Sequence, residues 1–295
     1  MSRLFEALRE ARRSSPKGNS DDQLWRPLDV LPAQSEIQEP QEAAPPPING
    51  NREPTASAVA SPAVGVEEGL LGMEAEARLN QAARLLPNSV NPAVVEHYRQ
   101  LRTKILQQRE TKPFRTLLVT SASPQEGKTV TVINLALSFS ALPSFKVLVI
   151  DGDLRRGTLG GWLGVRDDQP GLSNLFNGSA RLEEVVLKSD QIPMLFMSRG
   201  NAQVHDLHPS HFAGHFKRLG ENFDLVLIDS PPVNLLADVQ LLASSSDAVL
   251  LVARAFSTTR KALEKAAQEL APFRVIGAVL NAGVTQKSSG YYGYY

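Results

Sequence analysis

Arg115-Thr-Leu-Leu-Val-Thr-Ser-Ala-Ser-Pro-Gln-Glu-Gly-Lys-Thr-Val130 is the stretch whose reading decides the fold. Leu117 to Thr120 is a short apolar strand that runs into a polar loop. The loop closes on Gly127-Lys128-Thr129, and an apolar-periodic helix follows through Val130, Ile133, Leu135, Ala136 and Phe139. Strand, tight loop and Gly-Lys-Thr opening a helix is the layout of a phosphate-binding loop. The first N–H groups of such a helix have no carbonyl within it to donate to. With the positive end of the helix dipole, they favour an anion there. Lys128 adds a full positive charge, and the Thr129 hydroxyl is a ligand for Mg²⁺. The full pattern carries a glycine where this chain has Ala122. Taken alone, the stretch also reads as an ordinary strand–turn–helix with a surface lysine.

Working outward, Lys146 to Ile150 is an uninterrupted apolar run that ends in Asp151-Gly152-Asp153. Phe223 to Ile228 does the same and ends in Asp229-Ser230-Pro231-Pro232. Continuous apolar runs of this length mark strands buried on both faces, as in parallel sheets. Ala248 to Ala253 and Val275 to Leu280 are further strands. Helical stretches separate them at Leu172 to Phe176, Leu182 to Leu187, Pro209 to Leu219, Leu235 to Ser244 and Thr258 to Leu270. The alternation predicts an α/β three-layer sandwich with a mostly parallel sheet. Ligands bind beyond the C-terminal ends of such strands, where Lys128, Asp151, Asp153 and Asp229 converge. One carboxylate after a strand is commonly a helix N-cap. Two such strands beside a cationic loop supply what phosphoryl transfer needs: anchors for Mg²⁺ and an acceptor for the nucleophile's proton.

The chain has 295 residues, zero formal net charge and no cysteine. The balanced charge gives no electrostatic argument for a nucleic-acid partner. The missing thiols exclude disulfides, thiolate zinc sites and cysteine nucleophiles. No apolar run reaches the ~18 residues of a membrane span, and Met-Ser-Arg-Leu-Phe-Glu-Ala-Leu lacks the apolar core of a signal peptide. A cytoplasmic location is the expectation.

Residues 1–13 read as a short amphipathic helix, with Leu4, Phe5 and Leu8 on one face. Residues 14–90 are rich in Pro, Ala, Glu, Ser and Gln and read as a disordered tether, with a transient helix over 73–86. Residues 91–286 form the predicted folded domain, opening on a helix from Val94 to Gln108 with Val95, Tyr98, Leu101 and Ile105 inward. His205, His208, His211 and His215 fall close together, but Pro209 interrupts their spacing. They read as a polar loop leading into a helix rather than a metal site. Residues 287–295 are a flexible tail holding Tyr291, Tyr292, Tyr294 and Tyr295, four of the chain's five tyrosines. A packed core does not concentrate its aromatics at a terminus. Beside a phosphoryl-transfer site, such phenols read as substrates.

These motifs resemble the bacterial tyrosine kinases of capsule and exopolysaccharide synthesis, which use a P-loop NTPase fold related to the MinD/ParA ATPases. Ala122 to Thr129 is similar to their Walker A, Val147 to Arg156 to their Walker A′, and Asp224 to Val233 to their Walker B. Glu96-x2-Arg99-x2-Arg102 is similar to the family's oligomerisation motif, and the tyrosine tail to its autophosphorylation cluster. The resemblance implies ATP and Mg²⁺ as cofactors, with Lys128, Asp151 and Asp153 catalytic. It implies nucleotide contacts from Ser123, Pro124, Gln125, Glu126, Gly127, Lys128, Thr129, Val130 and Asn281, and metal contacts from Thr129, Asp151 and Asp229. It further implies a homo-oligomeric ring, phosphorylation of a neighbour's tail, and a separate membrane-bound polysaccharide co-polymerase as activator. A tyrosine phosphatase as partner and a peripheral place at the inner face of the membrane complete the expectation. Gln125 stands where the family usually has glycine, which leaves the loop less free to take positive φ. Gly157 replaces a proline that often follows Asp-x-Asp-x-Arg-Arg. A MinD/ParA-like regulatory ATPase, or a nucleotide-dependent scaffold, is the alternative. The MinD/ParA group carries a signature lysine where this chain has Ser123.

Overall fold

The computed structural model describes residues 30–32, 73–74 and 92–283, apart from 166–167, 190–191, 203–208 and 236–237. In chain order the elements are β1 (Val30–Pro32), β2 (Met73–Glu74), α1 (Pro92–Thr111), β3 (Thr116–Ser121), α2 (Lys128–Ser140), β4 (Val147–Asp151), α3 (Thr158–Leu163), α4 (Leu172–Phe176) and α5 (Leu182–Val185). They continue with β5 (Leu187–Ser189), β6 (Ile192–Met197), α6 (Pro209–Asn222), β7 (Leu225–Asp229), α7 (Asp238–Ser245), β8 (Ala248–Arg254), α8 (Arg260–Leu270) and β9 (Val275–Gly283). The sheet runs β1-β9-β8-β3-β7-β4-β6-β5-β2, and every described pair is parallel except β5–β6.

Two apolar layers explain the uninterrupted runs. Successive side chains of a strand point to opposite faces. Leu117, Val119, Val149, Leu227 and Leu250 go to one face, under α1 and α2 (Tyr98, Leu101, Ile105, Val132, Phe139). Leu118, Leu148, Ile150, Val226, Ile228 and Leu251 go to the other, under α6, α7 and α8 (Phe212, Phe216, Leu242, Leu263, Leu270). Every residue of β3, β4 and β7 is buried, which is why these runs are almost continuously apolar. The three-layer sandwich is the architecture expected from the sequence.

Several boundaries differ. The helix expected over Leu182–Leu187 stops at Val185, and Leu187 opens β5 opposite Phe196 of β6. Val186 is already extended (φ −83°, ψ 120°), which is where a β-branched pair tips the chain out of the helix. Strand β6 is absent from the sequence reading because Pro193, which lacks a ladder donor, argues against a strand there. Helix α3 is masked in the sequence by Gly160-Gly161, since glycine is a poor helix former. Helix α7 begins at Asp238 rather than Leu235, and α1 is longer than predicted. Strands β1 and β2 fall within the stretch that reads as a tether, and Met73–Glu74 is strand where the sequence predicts a transient helix. The rest of residues 1–90, His205 and His208, and the tail with its four tyrosines lie outside the described residues.

The rim opposite the phosphate loop is tied by two aspartates. Asp247 Oδ2 accepts from the N–H groups of Arg115 (2.8 Å) and Thr116 (2.9 Å), and Asp224 Oδ2 from that of Lys146 (2.8 Å). These bonds fix the starts of β3, β4 and β8, and so bring the far ends of the strands into one row. A cavity of about 650 Å³ lies at this opposite rim, lined by Phe114, Arg115, Lys217, Glu221 and Asp247. It is remote from the loop that the sequence marks for chemistry.

Candidate active site

The phosphate loop leaves β3 between the loops that leave β7 and β8, because β3 pairs with both strands. Its turn is made by Gln125 (φ 59°) and Gly127 (φ 87°). Gly127 is required twice over. Its φ is left-handed, and a Cβ there would meet Asn281 Nδ2 at 1.9 Å. Helix α2 then starts at Lys128, and its first bond runs from Thr131 N to Gly127 O (2.9 Å). The preceding amides therefore have no helical carbonyl, and no side chain caps this helix end. The end is free for an anion.

Gln125 adopts the positive φ that the sequence reading expects only of glycine. For an L residue this costs about 1–2 kcal/mol. Its carbonyl accepts from Arg254 Nη1 (3.2 Å), which holds the loop in that shape. Gln125→Gly is expected to raise stability by about 0.5–1 kcal/mol, the strain relief less the extra freedom of the unfolded chain. Urea unfolding checks this; a loss of stability would show that the glutamine side chain supports the loop.

Asp151 and Asp229 are paired directly across β4 and β7 at their last residues. Gly152 N donates to Asp229 O (2.7 Å), an approach that any Cβ at position 152 would block at 2.6 Å. Thr129 Oγ1 donates to Asp229 Oδ2 (2.6 Å) and lies 3.3 Å from Thr158 Oγ1. Asp151 accepts from Asp153 N (3.2 Å) and Leu159 N (3.0 Å). Asp153 Oδ1 accepts from Arg155 N (3.3 Å) and Arg156 N (3.0 Å), shaping the turn after β4. All three carboxylates are buried.

Burial, then repulsion from Asp229, pushes the Asp151 carboxyl up to about 8. Burial raises Asp229 as well, to about 6, and the charge of Lys128 and the Thr129 hydroxyl pull the other way. Lys128 is thus close enough to act on Asp229, on the same rim. Asp229 Oδ1 is buried without a partner. A buried acceptor left unsatisfied is costly. With Thr129 Oγ1 and Asp151, it forms a hard-oxygen set beside a cation-lined anion site. That set fits Mg²⁺ carried with a nucleoside phosphate.

Asn281 supports the loop. Its Nδ2 donates to Glu126 O (3.0 Å), and its Oδ1 accepts from Ala282 N (2.9 Å). Glu126 is buried, with Oε1 accepting from Thr258 Oγ1 (2.6 Å) and Oε2 without a partner; burial raises its carboxyl. Arg254, Thr258 and Thr158 carry no signal in the sequence. Two of them lie more than a hundred residues from the loop they touch, and no local pattern marks them.

Gly157 has φ 53°, a value closed to proline, whose φ is fixed near −65°. A Cβ there would also meet Arg199 Cδ at 2.0 Å. The departure from the family's usual proline is thus a different turn into α3.

Glu96, Arg99 and Arg102 lie on α1, behind the sheet. Glu96 and Arg99 face solvent in a loose pair (3.9 Å) that contributes little to stability. Arg102 turns inward instead and donates from Nη1 to Ser138 O of α2. His215 packs its ring on Phe176 (5.8 Å between centroids), an aromatic role.

A family described as AAA domain matches residues 125–271, which hold Gly127-Lys128-Thr129, both carboxylate strands and α8. A tyrosine-protein kinase CpsD of Streptococcus pneumoniae serotype 4 is 30% identical over 191 residues, covering 63% of this chain and 83% of that protein. A tyrosine-protein kinase ptk of Acinetobacter johnsonii is 33% identical over 202 residues, covering 67% of this chain; the match spans only 27% of that longer protein. The kinase domain of Escherichia coli tyrosine kinase ETK superposes with a TM-score of 0.62 at 29% identity, covering 72% of this chain and 84% of that one. The family match holds Lys128, Asp151 and Asp229, and with these relatives the chain belongs to the bacterial tyrosine-protein kinases built on a P-loop fold.

Proposed function

We propose that this chain transfers the γ-phosphoryl group of ATP to tyrosine hydroxyls at the C-terminus of a second copy, and so regulates capsule or exopolysaccharide synthesis. The observation that carries the reading is the single rim on which the uncapped α2 N-terminus, Lys128, Thr129, Asp151 and Asp229 meet. The loop amides from Gln125 to Val130 and the Lys128 ammonium hold the phosphates, with Ser123 and Pro124 shaping the loop before them. Thr129, Asp229 and Asp151 hold Mg²⁺, which when bound neutralises phosphate charge. In the transfer the bond from the γ-phosphorus to the ADP oxygen breaks and a bond to the phenolic oxygen forms. The phenolic proton passes to Asp151 or Asp153. Ionised, each is a carboxylate acceptor of the kind that general-base transfer uses.

Among the tyrosines, Tyr98 is buried against α2, and burial pushes its phenol further up. It is not an available acceptor, which leaves Tyr291, Tyr292, Tyr294 and Tyr295. In this reading the copies form a ring through the α1 face that carries Glu96 and Arg99. A separate membrane-bound co-polymerase activates the ring and holds it at the inner face of the membrane, and a tyrosine phosphatase reverses the mark. No described helix is long and apolar enough to cross a membrane. Incubation with ATP and Mg²⁺, followed by mass spectrometry of residues 287–295, should find phosphate on the tail tyrosines. ATP turnover with no phosphotyrosine, even with an activator segment added, would favour a MinD/ParA-like regulatory ATPase.

A further inference from the structure

Two large apolar side chains stand exposed among the described residues, Phe256 at 90% and Leu235 at 59%. Both lie at the phosphate-loop rim. Phe256 follows β8 and Leu235 follows β7, the two strands that flank β3. Each tip is tied to the loop strand. Val233 N donates to Ser121 O (2.9 Å). Arg254 and Thr258, on either side of Phe256, bond Gln125 and Glu126. The two tips are also joined through α8, since Asn234 Nδ2 donates to Ala262 O (2.9 Å).

The turn that carries Phe256 is closed and strained. Arg254 N donates to Thr258 Oγ1 (2.7 Å), and Thr258 N to Arg254 O (2.9 Å). At its tip Phe256 takes φ 61°, a left-handed conformation that a glycine would adopt freely. A bulky aromatic kept in solvent at a strained position points to a binding role.

We infer that Phe256, with Leu235, is the platform that receives the aromatic tail of the second copy and so determines substrate specificity; this rests on the kinase reading above. The chemistry of the occupant is written in the chain. The tail's last five residues, Tyr291-Tyr292-Gly293-Tyr294-Tyr295, carry no charged side chain. Each of these tyrosines has another as its direct neighbour. When one phenol reaches the phosphates, an adjacent ring lands on the rim, where an exposed phenylalanine offers edge or offset stacking. Phe256 does not touch the reacting atoms. It acts on tail binding.

The test uses two full-length chains. The catalytic chain carries Tyr291→Ser, Tyr292→Ser, Tyr294→Ser and Tyr295→Ser; the donor carries Lys128→Met and an intact tail. Phe256→Gly in the catalytic chain is expected to raise KM for the donor about fivefold with kcat within twofold. Adding Leu235→Ser should take the rise past about tenfold. Phe256→Tyr should restore the parent KM, and Phe256→Gly placed in the donor should change nothing. Because glycine relieves the left-handed strain, Tm of the Phe256→Gly chain should not fall. An unchanged KM in the double variant overturns the inference. So does an equal effect from the donor side, or a loss of nucleotide affinity in its place. No phosphotyrosine in the parent pair overturns the kinase reading and this inference together.

Discussion

Lys128→Met should silence tail phosphorylation, with a loss on the order of 10²- to 10³-fold or more in rate. The side chain leaves the first residue of α2, where the loop amides already point outward without helical partners. Those amides supply partial charges only. Lys128 supplies the full charge, and its influence is already felt at Asp229. Methionine keeps the stem and removes the ammonium, so the helix start and the packing beneath it remain. The loss should therefore appear in phosphotyrosine yield and not in the folded content seen by circular dichroism. The apolar end would also leave Asp229 without its nearby cation, and the Asp229 carboxyl should rise further. A Lys128→Met chain that phosphorylates its own tail at the parent rate would remove Lys128 from the reaction.

The nucleotide-free, magnesium-free chain should lose stability as pH rises from about 5 to about 8. The sign follows from Asp151 and Asp229, whose carboxyls are raised in the folded chain to about 8 and about 6. In that window the unfolded chain has released these protons and the folded chain still holds part of them. Stability is then fully present below the ordinary carboxyl range and is lost as pH climbs through the folded values. Each proton of difference gives a slope of about 1.4 kcal/mol per pH unit. Asp151→Asn should flatten the fall. The variant also sets an amide donor against Asp153 N or Leu159 N, both of which donate to Asp151. That conflict costs about 1–3 kcal/mol at every pH, so the slope and not the level is the readout. Urea midpoints measured at pH 5, 6, 7 and 8 decide it. Parallel curves for parent and variant would show that Asp151 does not carry the excess proton. Magnesium with nucleotide should flatten the parent curve too, since a cation favours the ionised carboxylates.

Much of this site is legible in the amino-acid sequence alone. Leu117 to Thr120, Val147 to Ile150 and Leu225 to Ile228 belong to strands buried on both faces, and that demand leaves a nearly uninterrupted apolar run in the sequence. The residues that follow such runs at one rim are therefore readable as well, which is how Lys128, Asp151 and Asp229 stand out. Gln125 is a visible departure from the family's pattern, but its positive φ appears only with Arg254 bonded to its carbonyl. Pro193 and Gly160-Gly161 mislead, because local propensity argues against elements that neighbouring strands and the core impose.

By itself, then, the sequence determined the alternation of strands and helices, the cationic loop and the carboxylates that end their strands. These are local matters of burial period and turn chemistry. The tertiary structure alone decided that Thr129 bonds Asp229, that Glu126 is held by Thr258, that Asn281 supports the loop, and that Phe256 and Leu235 flank it. Those contacts depend on which strands lie side by side and in what register, and no spacing along the chain records that.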